Sequence, residues 1–124
     1  MQNYIAESDR ILDLIESYFL GIYDGKTDLL RSVFHPKAML FGDINGKEYL
    51  KTLDEYLEGV EARQSPSELG ESYEMKVLSI EINGQVALAK VNVPILSFNY
   101  QDFLSLAVVN DEWVIVNKTF THVE

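Results

Sequence analysis

Lys76-Val77-Leu78-Ser79-Ile80-Glu81-Ile82-Asn83-Gly84-Gln85-Val86-Ala87-Leu88-Ala89-Lys90-Val91 is the stretch where the apolar period of the chain changes from helical to extended. Leu78, Ile80 and Ile82 share one strand face with Lys76, because side chains alternate across a strand. Asn83-Gly84 is a strong hairpin signal, since both residue types tolerate positive φ. The spacing predicts a partner strand from Gln85 to Val93, an interruption at Pro94, a third strand from Phe103 to Val109 and a fourth from Glu112 to His122. Asn110-Asp111 turns between the last two, and Asp102, at the start of the third, reads as exposed.

Upstream the period is helical. Ile11, Ile15, Tyr18 and Ile22 recur on one stripe between Ser8 and Tyr23, with Asp24-Gly25 as the stop. Thr27 offers an N-cap for a short second helix through Leu29, Leu30 and Val33, ended by His35-Pro36. A brief strand over Ala38 to Phe41 and the turn residues Gly42 to Gly46 precede a third amphipathic helix, predicted from Lys47 to Glu58. The polar stretch Val60 to Ser72, with Pro66 and Gly70, has no period and is expected to be a mobile connection. Helices first and strands afterwards predict an α+β fold, and 124 residues with 47% hydrophobic content suit one domain over residues 1–124.

The charge narrows the partners. Twenty Asp plus Glu against ten Lys plus Arg give a formal charge of -10, and the basic residues are scattered singly. Such a surface repels phosphate backbones and anionic lipid, so neither nucleic acid nor membrane is expected as a partner. The absence of cysteine removes disulfides, thiolate catalysis and cysteine-ligated metals. The first residues resemble no signal peptide, and no window approaches the ~20 apolar residues of a spanning helix, so a cytoplasmic location is the expectation. The two histidines, His35 and His122, have no ligand spacing, and no metal or cofactor is called for.

Three strings carry a family resemblance: Tyr18 to Gly25, Leu30 to Phe41 with its Phe34-His35-Pro36-Lys37-Ala38, and Asp111-Glu112-Trp113-Val114-Ile115-Val116-Asn117-Lys118-Thr119-Phe120. Together they resemble the NTF2-like superfamily, which includes SnoaL-like and ketosteroid isomerase-like proteins. Val86 to Val91 and the Trp113 to Lys118 string are most similar to its lumazine-binding branch. The resemblance implies a cone: three N-terminal helices packed on a curved, four- to six-stranded antiparallel sheet, often dimeric through that sheet. Members include isomerases, dehydratases, and binding or assembly modules without chemistry, so fold alone does not assign function.

Ketosteroid isomerase, in this superfamily, uses a tyrosine on the first helix and a carboxylate on the strand after the second. Tyr18 matches the tyrosine, but the carboxylate position falls at Gly42. Asp43 is one residue on and would face out of the cavity unless the strand bulges. An enzyme acting on an apolar carbonyl or hydroxyl compound would therefore draw on Tyr18, His35 and Asp43; His122, near the chain end, is a weaker acid–base candidate. The leading expectation is instead a small-ligand site for a flat heterocycle, with Tyr18, Phe41, Tyr56, Phe103, Trp113 and Asn117 lining it. Trp113, Ile115, Asn117 and Thr119 share one face of the last strand by alternation, and the resemblance implies that this face lines the concave side, while Lys90 and Asn92 mark the outer or dimer-facing side. The aromatic set Tyr18, Phe19, Tyr23, Phe34, Phe41, Tyr56, Phe103 and Trp113 reads for the most part as core filler, and a domain closed on its own core would be an assembly module.

Overall fold

The Ile11, Ile15, Tyr18 and Ile22 stripe is almost wholly buried in the computed structural model, which describes residues 3–124. These residues lie on α1 (Tyr4–Asp24), whose first amides are capped by the Asn3 side chain. Gly25 ends it at φ 67°, a left-handed conformation that costs glycine least. Helix α2 (Thr27–Val33) turns back at once, and Gly21 makes room for it: a Cβ there would meet the Leu30 side chain at 2.7 Å.

Two predicted boundaries move. Strand β1 (Phe34–Ile44) starts immediately after α2, so His35-Pro36 lies in a strand instead of ending a helix. The proline fits because β1 pairs with the last strand at Phe34 and again only from Met39, leaving its missing N–H in the gap. The stretch expected to open the third helix is β2 (Lys47–Thr52), and α3 spans Leu53–Ala62. Asn45 and Gly46 both take positive φ, closing a two-residue β1–β2 hairpin, and Thr52 with Glu55 forms a capping box that starts α3 there.

Residues 63–75 are a fastened strap, contrary to the mobile connection expected. Tyr23 donates its hydroxyl to the Glu71 carbonyl at 2.6 Å, the Ser67 amide donates to the Tyr23 carbonyl, and the Glu71 carboxylate accepts the Leu96 amide at 3.0 Å. That last contact steadies the Leu96-Ser97 turn, where both residues hold positive φ without being glycine.

Four further strands follow: β3 (Lys76–Asn83), β4 (Val86–Ile95), β5 (Phe98–Val109) and β6 (Glu112–His122). Pro94 does not interrupt β4, since β3 reaches only to Asn92 and that side of Pro94 has no partner to lose. The six strands form one curved, unclosed sheet in the order β2-β1-β6-β5-β4-β3, antiparallel except for the β1–β6 pair, which is parallel. All three helices cover its concave face, and the main core lies between.

One irregularity decides which side chains face that core. Ser105 pairs with Asn117 but Leu106 with Ile115, so Val116 is an extra residue in β6. Before it Trp113 and Ile115 point inward; after it Lys118 and Phe120 do.

Candidate functional site

The most buried carboxylate of the sheet is Asp102, only 1% exposed, and not the solvent-facing strand start expected. Strand β5 begins at Phe98, so Asp102 sits mid-strand on the face that buries Leu104 and Leu106. Tyr18, fully buried on α1, donates its hydroxyl to Asp102 Oδ2 at 2.6 Å. Lys118 reaches the same oxygen from β6 with Nζ at 3.8 Å, an ion pair longer than a hydrogen bond.

Aromatic faces surround that ammonium. Lys118 Nζ lies 4.8 Å from the ring centre of Tyr56, 5.1 Å from Phe120 and 5.4 Å from Tyr18, each within cation–π range. Desolvation by burial pushes the Asp102 carboxyl above its ordinary range, opposed first by the charge of Lys118 and then by the Tyr18 hydrogen bond. Burial, then the charge of Asp102, holds the Tyr18 hydroxyl well above its ordinary value, so it stays a donor.

Asp102 and Lys118 border a cavity of about 60 Å³, lined on the sheet side by Tyr49, Phe120, Asp102, Lys118 and Tyr100. Registration explains the set. Tyr49, Gly42, Phe120 and Asp102 are successive partners across β2, β1, β6 and β5 and form one transverse row. Tyr56 and Arg63 close it from α3 and its C-cap. The pKa of the Tyr49 hydroxyl is pushed up to about 12, by burial first and then by neighbouring Tyr56. A space of this size holds about four waters. A wider groove of about 540 Å³ between α1 and β3, lined by Leu12, Phe19, Leu20 and Tyr73 among others, is more open and has no buried charge.

The sequence-derived candidates separate. Tyr56 lines this cavity, and Tyr18 stands behind its wall, bonded to Asp102. Phe41, Phe103 and Asn117 lie on the opposite, outer face, where Thr119 is the common partner of Phe41 and Phe103, and Asn117 pairs with Met39 and Ser105. The expected concave placement of Asn117 is corrected by the extra residue at Val116, which inverts the alternation carried down from Trp113, while Phe41 and Phe103 face outward by the phase of their own strands, beside the buried Leu40 and between the buried Asp102 and Leu104. Trp113 faces the far end of the core, its indole donating to the buried Glu7 carboxylate. The grouping of Tyr18, His35 and Asp43 is not assembled: His35 Nδ1 accepts the Lys37 amide and Asp43 accepts a long hydrogen bond from Thr121, both at the surface. His122 stands against the rings of Phe98 and Tyr100.

At Gly42, where the isomerase pattern wants a carboxylate, a Cβ would lie 2.5 Å from the Phe120 carbonyl oxygen and 2.6 Å from its ring. The carboxylate facing this cavity comes from Asp102, two strands away in the same row. Among the described residues no three His, Asp or Glu side chains gather as metal ligands, and no helix is long and apolar enough to cross a membrane.

The profile of the family described as "Putative lumazine-binding" matches residues 6–121. The chain belongs to this NTF2-like family. Solved structures agree on the fold of this NTF2-like family member. An NTF2-like protein of unknown function from Silicibacter pomeroyi DSS-3 is 20% identical with a TM-score of 0.85, over 98% of this chain and 100% of that one. One from Shewanella baltica OS155 is 23% identical at 0.84, over 100% and 99%. A de novo designed protein with a curved β-sheet also matches, at 14% identity and 0.62 over 93% and 96%, so the cone is reachable without any inherited function. No curated protein matches the chain.

Asp102, Lys118 and Arg63 are the site residues that sequence reading missed. Asp102 was readable: counting back by two from Leu104 and Leu106 puts it on the buried face. Lys118 was not, because the same count from Trp113 and Ile115 crosses the extra residue.

Proposed function

We propose that this chain binds a small flat heterocycle in the cone, with one polar edge of the ring against Asp102 and Lys118 and its faces against the rim aromatics. The observation that supports this reading most is the caged ion pair bordering a cavity. A buried carboxylate and ammonium offer an acceptor and a donor side by side, as a ring edge of alternating N–H and C=O requires. Lumazine, named in the family description, has such an edge. The cavity of about 60 Å³ receives that edge, and the remainder of the ring lies at the mouth between Tyr49 and Tyr100.

Thermal shift with lumazine and related bicyclic rings tests this. A ligand at ~100 times its Kd is expected to add ~2.7 kcal/mol of stability, and the shift should vanish in the variant Asp102→Leu/Lys118→Met. No shift from any flat heterocycle would remove the reading.

A second reading, acid–base chemistry on a bound carbonyl compound, rests on Asp102 itself: a buried carboxyl raised from its ordinary range beside a cavity is a frequent mark of proton-transfer sites. It requires that a bound ketone exchange its α-protons with D2O and that Asp102→Asn stop the exchange.

The outer face of the sheet supports the homodimer. Phe41 and Phe103 are 45% and 46% exposed there and flank Thr119, with Leu50, Met39 and Leu88 around them. Apolar side chains gathered on one sheet face mark a protein interface. Sedimentation at about tens of micromolar, above typical obligate-dimer affinities, should return a dimer, and Phe103→Glu should return a monomer that keeps the wild-type helix and strand content. A monomeric wild type would exclude the dimer.

A further inference from the structure

Among the described residues, Arg63 is the one cation lining the cavity that has no ion-pair partner. Lys118 is matched by Asp102, and the other ion pairs among the described residues, Arg10 with Glu7 and Arg31 with Asp54, lie elsewhere. Arg63 forms no ion pair among them, although acidic residues outnumber basic ones two to one in the sequence. Its Nε is buried and has no hydrogen-bond partner among the described residues. A buried donor left unmade carries a desolvation cost, and such donors in folded proteins are nearly always satisfied.

The position is fixed. Arg63 is the C-cap residue of α3 with extended backbone, φ -101° and ψ 161°, which turns it from the helix toward the cavity beside Tyr49, Tyr56 and Tyr100. Its positive charge is felt by the hydroxyls of Tyr18, Tyr49 and Tyr100, lowering each against the upward push of burial. With Asp102 and Lys118 cancelling, the cavity keeps a net charge of about +1. An aromatic wall with one unmatched guanidinium suits a flat body carrying one negative charge, because the planar fork of arginine matches a carboxylate or a similar pair of acceptors.

The geometry points to a flat aromatic monoanion as the ligand class of this pocket, its charge taken by Arg63. This rests on the pocket reading above and adds the charge to it. The anionic acceptors satisfy the orphan Nε–H, and the ring lies against Tyr49, Tyr56 or Tyr100. Arg63 then acts as the residue that selects anions over neutral rings of the same shape.

Benzoate, benzamide and benzamidine are nearly the same shape and differ in charge, so their dissociation constants by NMR titration or calorimetry test the inference directly. Benzoate is expected to bind tightest, with benzamide weaker and benzamidine weakest. Arg63→Gln should weaken benzoate about 10- to 100-fold, the size of a lost charged hydrogen bond, and bring it level with benzamide, while Arg63→Lys restores part of the difference. Unliganded melting curves of both variants show whether they fold. Benzamide binding as tightly as benzoate, or Arg63→Gln leaving benzoate unchanged, overturns the inference. Failure of benzoate to bind wild type also overturns it, and a thermal shift with neutral lumazine in that same experiment would leave the pocket reading standing.

Discussion

Lys118→Met is expected to cost about 3 kcal/mol of stability at pH 8 and little or nothing near pH 4. The sign follows from Asp102. Its folded-state pKa is raised by burial even with Lys118 opposing, and removing the ammonium removes the charge that does most to hold it down. A carboxyl whose folded pKa lies above its unfolded value of about 3.9 contributes stability that is complete below that value. The contribution is lost as pH rises through the folded pKa. In the variant that loss extends further up the pH scale than in wild type, so the two stability curves run parallel until pH rises through the raised wild-type folded pKa of Asp102 and diverge above it. Asp102→Asn/Lys118→Met, which removes both buried charges and leaves Tyr18 an acceptor, should equal or exceed wild type throughout, since apolar replacement of a buried pair is often neutral or stabilising. Urea unfolding at both pH values checks all three proteins. A loss in Lys118→Met that is the same at pH 4 and pH 8 would show that the lysine acts by packing its stem and not by balancing Asp102. A double variant that is stable but blind to flat heterocycles would locate the reason for the pair in binding, because stability alone gives no reason to keep it.

The sequence carried the architecture further than the site. The α1 stripe, the period change at Lys76 and the turn at Asn110-Asp111 are local signals, each repeated by packing, and each appears in the structure. Lys47 to Thr52 was misread because Tyr49, Leu50 and Leu53 satisfy helical spacing, while the stronger cue, Asn45-Gly46, repeats the Asn-Gly signal recognised at Asn83-Gly84. The site was less legible for two physical reasons. A buried Asp contradicts the average behaviour of its residue type, and only the strand's phase reveals it. Lys118 faces the cavity through an inserted residue, and a bulge of one residue leaves no compositional trace in Val114-Ile115-Val116. Phe41 and Phe103 show the reverse error: an aromatic residue is equally suited to a pocket wall or an interface, and only register assigns it to the outer face.

Gly42→Ala should destabilise the protein by about 3 kcal/mol or more, the upper range for overpacking, although it adds one methyl group to a half-buried strand. The obstacle is backbone. The new Cβ would lie 2.5 Å from the Phe120 carbonyl oxygen, and Gly42 and Phe120 are direct partners in the parallel β1–β6 seam, so the oxygen cannot turn away without opening the pairing. The Phe120 ring, at 2.6 Å, could rotate. Comparing Phe120→Ala with Gly42→Ala/Phe120→Ala by urea unfolding separates the two contacts. If the seam carbonyl is the barrier, the second substitution still costs most of its original penalty; if it then costs nothing, the ring alone was the barrier. Gly42→Asp, which would install the carboxylate of the isomerase pattern, meets the same carbonyl and adds a buried charge, so it should unfold the protein more readily still. The seam that seats Phe120 beneath the Lys118 ammonium therefore forbids a carboxylate at Gly42, and the carboxylate that faces this cavity comes from across the row, at Asp102.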